Sequence, residues 1–154
     1  MKKLLILASV VFLFSAIGSA TAQSRKSVNA AEVNGTFRSY FSGKFKGNYN
    51  EIKILALGKG KLRVALHLTY PYIDGTGGMM ANIGAADGTA TIEGDTATFF
   101  PYENGQCKIS IKFVRRGAIK VTQSGGLSKC GFGLNVNAIG AYKKSSSAKP
   151  KFEQ

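Results

Sequence analysis

Few residues in this chain have side chains that could do covalent or acid–base chemistry, and they are scattered. There are two cysteines, Cys107 and Cys130, one histidine, His67, and eight carboxylates. Cys130 lies in the stretch Cys130-Gly131-Phe132-Gly133, which reads in three ways: as a reactive loop, as a metal half-site or as a structural closure. A reactive thiol needs a neighbouring base, and none lies near it in the sequence. A structural zinc site takes four ligands, which two cysteines and one histidine do not supply. An even pair of cysteines in an exported chain is the pattern of a disulfide, so a Cys107–Cys130 bridge is expected, stabilising by roughly 3 kcal/mol.

His67 has no serine or cysteine nucleophile in a recognisable motif, and no G-x-S-x-G occurs anywhere. Glu32 and Glu153 sit in the two tails, while Asp74, Asp87, Glu93, Asp95 and Glu103 mostly adjoin glycines, where Asp has a local hydrogen-bonding role in turns. Asp74-Gly75-Thr76-Gly77-Gly78 lacks the further carboxylates of a calcium loop, and the glycines form neither a Walker pattern nor a dinucleotide fingerprint. The expectation is a protein that is not an enzyme and that holds no metal and no cofactor.

The basic residues carry more. The chain has a formal net charge of +13. Its first residues place Lys2 and Lys3 before an apolar run from Leu4 to Ile17, with Ala20 and Ala22 in A-x-A positions. This is the pattern of a secretory signal peptide, residues 1–22, cut near Ala22, which predicts a periplasmic or secreted protein. Losing Lys2 and Lys3 lowers the charge from +13 to +11. A partner of so basic a chain is expected to be anionic. Nucleic acid would suit the aromatics and cations of Phe37 to Tyr49, but export argues against it, and no nucleic acid is expected as a physiological partner.

The elements that must position these residues read as strands. After a polar lead-in expected to be mobile, 23–33, a β-barrel domain runs over 34–144, followed by a polar C-terminal tail, 145–154. Leu62, Val64, Leu66 and Leu68 alternate with Lys61, Arg63, His67 and Thr69, a half-buried strand paired with residues 51–57 across Gly58-Lys59-Gly60 and ended by Pro71. Residues 73–84 read as the longest irregular stretch and a candidate lid loop, with Asp74, Gly75, Gly77 and Gly78 at its start. Glu93-Gly94-Asp95 and Arg115-Arg116-Gly117 mark two hairpins, and 134–144 reads as a last strand. About eight short strands with glycine turns predict a small all-β, antiparallel up-and-down β-barrel of lipocalin or calycin type, with a β-sandwich as the alternative.

Arg63, Lys108, Lys112 and Lys120 all fall on the outward parity of their strands and are the candidate face for an anionic partner. An outer-membrane barrel is disfavoured, because these charged faces would have to line a narrow lumen.

The stretches GTATIEGDTATFFP, CKISIKFV, IKVTQSGG and CGFGLNVNAIGAYKK resemble an uncharacterised family of small exported bacterial β-barrel proteins, over roughly residues 86–151. More loosely the pattern is similar to the calycins and to the barrel-shaped periplasmic inhibitors of C-type lysozyme. The resemblance brings no activity and no site residue. No motif of those inhibitors occurs, and lysozyme is itself basic, so a +11 partner would meet repulsion.

Two functions follow as expectations. One is an exported binding protein, monomeric, holding a small apolar or amphipathic ligand inside the barrel. The other is an envelope interaction protein or hydrolase inhibitor that uses a basic outer face, with peripheral membrane contact among its options.

Overall fold

The computed structural model describes residues 27–102, 106–115 and 117–152. The predicted signal peptide, the first part of the lead-in, Glu103, Arg116 and Glu153 lie outside the described residues. Eight antiparallel strands form a closed barrel in chain order, β1 (Gly35–Tyr40), β2 (Tyr49–Gly58), β3 (Lys61–Ile73), β4 (Met79–Glu93), β5 (Thr96–Phe99), β6 (Lys108–Val114), β7 (Ala118–Ser124) and β8 (Gly140–Ser146). β8 returns to pair with β1 across a register shift between Thr36 and Phe37. This is the up-and-down barrel that the period-2 alternation predicts.

Alternation also decides what faces inward. Phe37, Ile52, Ile54, Val64, Leu66, Leu68, Ile109, Ile111 and Ile119 are fully buried. The rings of Phe37 on β1 and Phe113 on β6 meet edge to face at 6.4 Å, so side chains from separate parts of the wall touch across the interior. Opposite the bulky row of β3, the inward positions of β4 are small: Leu68 pairs with Gly84, Leu66 with Ala86, Val64 with Gly88 and Leu62 with Ala90. The vacated space is taken by other elements. A Cβ on Gly88 would lie 3.0 Å from the Phe99 ring, and one on Gly84 would press on Phe132 and Val136.

Both mouths are covered. At the base, the lead-in does not stay loose over its described part: Asn29 caps a helical turn, α1 (Ala30–Val33), accepting from the Glu32 amide at 2.9 Å, and Val33 is buried in the core. Lys144 lies on inward parity and donates from Nζ to the carbonyls of Ala31, Glu32 and Asn34 at 2.8 to 2.9 Å, which ties β8 to that turn. Burial pushes its pKa down, partly offset by the charge of Glu32.

At the opposite mouth lies the segment 125–139, and here the structure corrects the sequence reading. The last strand begins only at Gly140, and residues 134–139 are part of a plug, with Phe132, Val136 and Ala138 buried. Pro71 does not end β3 either. The Thr69 amide donates to Asn50 Oδ1 at 2.7 Å, on the β2 side. Two residues on, the N–H that proline lacks would face the same side, where β2 has already stopped pairing, so nothing is lost. β3 and β4 therefore stay paired out to Ile73↔Met79, and the irregular stretch 73–84 shrinks to the turn 74–78.

Candidate functional site

Cys107 and Cys130 form a disulfide with Cα atoms 4.9 Å apart, and both are buried. Cys130 does not enter a strand; it ends a short 3-10 turn, Leu127–Cys130, and the bridge ties the plug to the start of β6. The two glycines that follow then have separate reasons. Gly131 adopts φ +64°, and a Cβ there would collide with the Tyr102 hydroxyl. Gly133 lies flat on β4, its amide donating to the Ile83 carbonyl at 3.1 Å, so a side chain would hit that backbone. The stretch is a structural closure, and a bridge of this kind is compatible with an oxidising compartment.

The remaining reactive types are occupied or apart. His67 is exposed on the outer wall, opposite Glu51 in the β2–β3 register. Glu51 accepts from Arg38 Nε at 2.7 Å, and the Arg38 guanidinium stacks 4.1 Å from the Tyr49 ring centroid. Asp95 is buried at the β4–β5 turn, accepting from the Thr96 hydroxyl at 2.9 Å and lying 4.0 Å from Lys112 Nζ. Asp74 Oδ1 accepts from the Thr76 amide at 2.9 Å, the Thr76 hydroxyl at 2.7 Å and the Gly78 amide at 2.8 Å. These bonds, that of the Thr76 hydroxyl first, hold its pKa below the usual carboxylate range. Asp74, Gly75, Gly77 and Gly78 thus form a compact turn at a hairpin tip. Among the described residues, no three of His, Cys, Asp and Glu gather in a way that could hold a metal ion.

The four predicted face cations separate into two groups. Arg63 is on β3, whose wall lies across the barrel from β7, and it is already engaged. It pairs with Asp87 at 3.3 Å and stacks 4.5 Å from the Phe152 ring centroid. The tail is therefore not simply a solvated end: Pro150 is buried and Phe152 lies on the β3–β4 wall, bordering a shallow groove with Lys53, Ala65, His67 and Asp87.

Lys108, Lys112 and Lys120 do share a wall, formed by β6, β7 and β8. Lys112 and Lys120 stand directly opposite each other on adjacent strands. Lys120 in turn faces Ala141, which places Lys143 two residues along β8 on the same outer face. Lys108, Lys120 and Lys143 are exposed. Like charges directly across a ladder are destabilising. Among the described residues, Asp95, at 4.0 Å from Lys112, is the acid that offsets this pair on the wall. Lys143, on the outward parity of β8, completes this face although it is not among the sequence candidates.

Comparison with protein-family models, with curated proteins and with solved structures gives no match. The resemblance to small exported barrels therefore stands on the shared barrel architecture alone.

Proposed function

We propose that this protein is a non-enzymatic binding protein of the bacterial envelope, exported and monomeric, whose working surface is the outside of the barrel. The wall formed by Lys108, Lys112, Lys120 and Lys143 receives an anionic partner, an acidic or phosphorylated envelope polymer. The observation that carries this is the cross-strand pair Lys112–Lys120, an arrangement that costs stability in the free protein and is relieved when an anion lies across both strands.

The alternative, a small apolar ligand inside the barrel, draws support from the fold class but less from the packing. Phe37, Leu66 and Ile111 are fully buried against their neighbours, α1 and the plug cover the two mouths, and a ligand would have to displace core side chains. Native mass spectrometry of the mature protein, recovered without refolding, separates the two. A reproducible adduct lost on denaturation would establish the interior ligand.

The direct test of the wall is the Lys108→Glu, Lys120→Glu, Lys143→Glu variant on an immobilised acidic polysaccharide. Loss of salt-sensitive retention by the folded variant is expected. Unchanged retention would remove the wall from consideration.

A further inference from the structure

A second surface lies at the plugged mouth, and a different property marks it. Large apolar side chains left exposed are concentrated at this end, on the β3–β4 hairpin, the β1–β2 loop and the plug, whereas at the base only Leu57 and Val114 are of this kind among the described residues. Met80 is 50 % exposed, Ile83 69 % and Leu134 73 %, with Tyr70, Ile73 and Met79 beside them on the hairpin. Single exposed apolar residues are ordinary; a cluster confined to one end of a small barrel marks a contact surface.

The hairpin also runs on past its pairing with β2, although Pro71 within it is buried. β2 pairs with β3 only as far as Glu51↔His67, while β3–β4 pairing continues through Leu68↔Gly84 to Ile73↔Met79. At about 3.3 Å per residue, that arm reaches on the order of 20 Å past the last β2–β3 pair. It is braced at its tip by the Asp74 turn and at its side by the neighbouring loop, where Asn48 Nδ2 lies 3.8 Å from Met79 Sδ. Asn82 Nδ2 donates to the Leu134 carbonyl at 2.8 Å, which joins the hairpin to the plug.

The charges around this cluster decide what it meets. Lys44 and Lys46 in the β1–β2 loop and Lys129 in the plug are exposed. The acid at the tip, Asp74, stays ionised with Oδ1 bonded inside its own turn, and Glu51 below is held by Arg38, so among the described residues Lys44, Lys46 and Lys129 outnumber the acids around the cluster. An apolar projection ringed by cations complements an anionic bilayer, in which methionine, isoleucine and leucine enter the acyl boundary, tyrosine lies at the headgroups and lysine meets the phosphates. A two-fold contact with a second copy suits it less, since the cations of both copies, Lys44, Lys46 and Lys129, would be gathered at one interface. We infer that the β3–β4 hairpin tip, with the β1–β2 loop and Leu134, is an insertion site for an anionic lipid surface. This site is separate from the basic wall and stands or falls independently of it.

The chain contains no tryptophan, so a single introduced one reports cleanly. Met80→Trp at the tip and Leu57→Trp at the base would each be titrated with phosphatidylcholine vesicles containing phosphatidylglycerol, with and without brominated acyl chains. The expected result is a blue shift and bromine quenching for Met80→Trp alone, persisting in the background of the wall-reversed variant. Ile73→Asp with Ile83→Asp should lower vesicle partitioning by about tenfold or more while leaving the disulfide and the β-sheet circular dichroism intact. Three results would overturn the proposal: binding without quenching at position 80, quenching at both positions alike, or no vesicle binding together with concentration-dependent dimerisation. The first would leave only headgroup or wall contact, and the last would assign the apolar end to a second copy.

Discussion

The two ends of this barrel solve the same problem by different means. At the base, the chain that runs into β1 covers the opening: α1 buries Val33, and Lys144 bonds three of its carbonyls. Cover and strand are continuous, and nothing large and apolar is left over beyond Leu57 and Val114 among the described residues. At the other mouth the cover is the excursion between β7 and β8, held by a covalent bond and by glycines cut to fit, with a hairpin of exposed methionine and isoleucine standing beside it. The base hides nearly all of its described apolar surface, whereas the plugged end stabilises its cover and still leaves apolar surface outside, which is where the proposed lipid contact falls.

The sharpest way to break this comparison is to cut the disulfide. Cys107→Ala with Cys130→Ala should lower stability by about 3 kcal/mol in the chain-entropy picture, read from denaturant unfolding. Hydrogen exchange should accelerate in 125–139 before it does in α1. Equal acceleration at both ends would mean that the plug is no separate unit.

Gly84→Val comes next, since its branched side chain would press on Phe132 and Val136. Overpacking of this kind costs about 2 kcal/mol, and here it should push the plug outward without reducing the disulfide. Val33→Ala is the matching probe of the base. A loss of about 1 to 2 kcal/mol is expected from the removed apolar burial, with the vesicle behaviour of the tip unchanged.

The smallest effect concerns pH. The Asp74 carboxylate has its pKa depressed in the folded protein, so its contribution is complete above the ordinary carboxylate range and is lost as pH falls through the depressed value. Amide exchange at Thr76 and Gly78, corrected for the intrinsic pH dependence, should lose protection below about pH 4, and Asp74→Asn should flatten that dependence.

The difference between the ends also explains what could be read in the sequence. The barrel itself was legible because Leu62 to Leu68 and Cys107 to Phe113 alternate, and the tight hairpin turns carry glycines at positions that need positive φ, such as Gly58, Gly60, Gly94 and Gly117. The base was half legible: α1 is only four residues long, and no period can emerge from so short a run. At the plugged mouth alternation fails as a guide. Residues 134–139 have the composition of a strand, but they pack as a plug because Gly84 and Gly133 remove the side chains that would keep them away. Pro71 misled for a related reason, since its effect depends on which side of β3 is unpaired, a fact of the neighbouring strand and not of the residue. Of the candidate face, the parity of Lys108, Lys112 and Lys120 was readable. That Arg63 belongs to another wall was not, because distance around a barrel is set by closure.

That closure has a consequence in time. Every other strand pairing joins neighbours in the chain, and only the seam between β1 and β8 links its two ends, Thr36 with Ser146. A chain delivered from its N-terminus completes β1 first and must wait for nearly the whole remaining sequence before that edge finds its partner, a delay that loop-closure entropy lengthens. Cys107 and Cys130 both emerge before β8 does. The plug can thus be fastened while the barrel is still an open sheet, and the last strand then closes a wall whose far mouth is already covered.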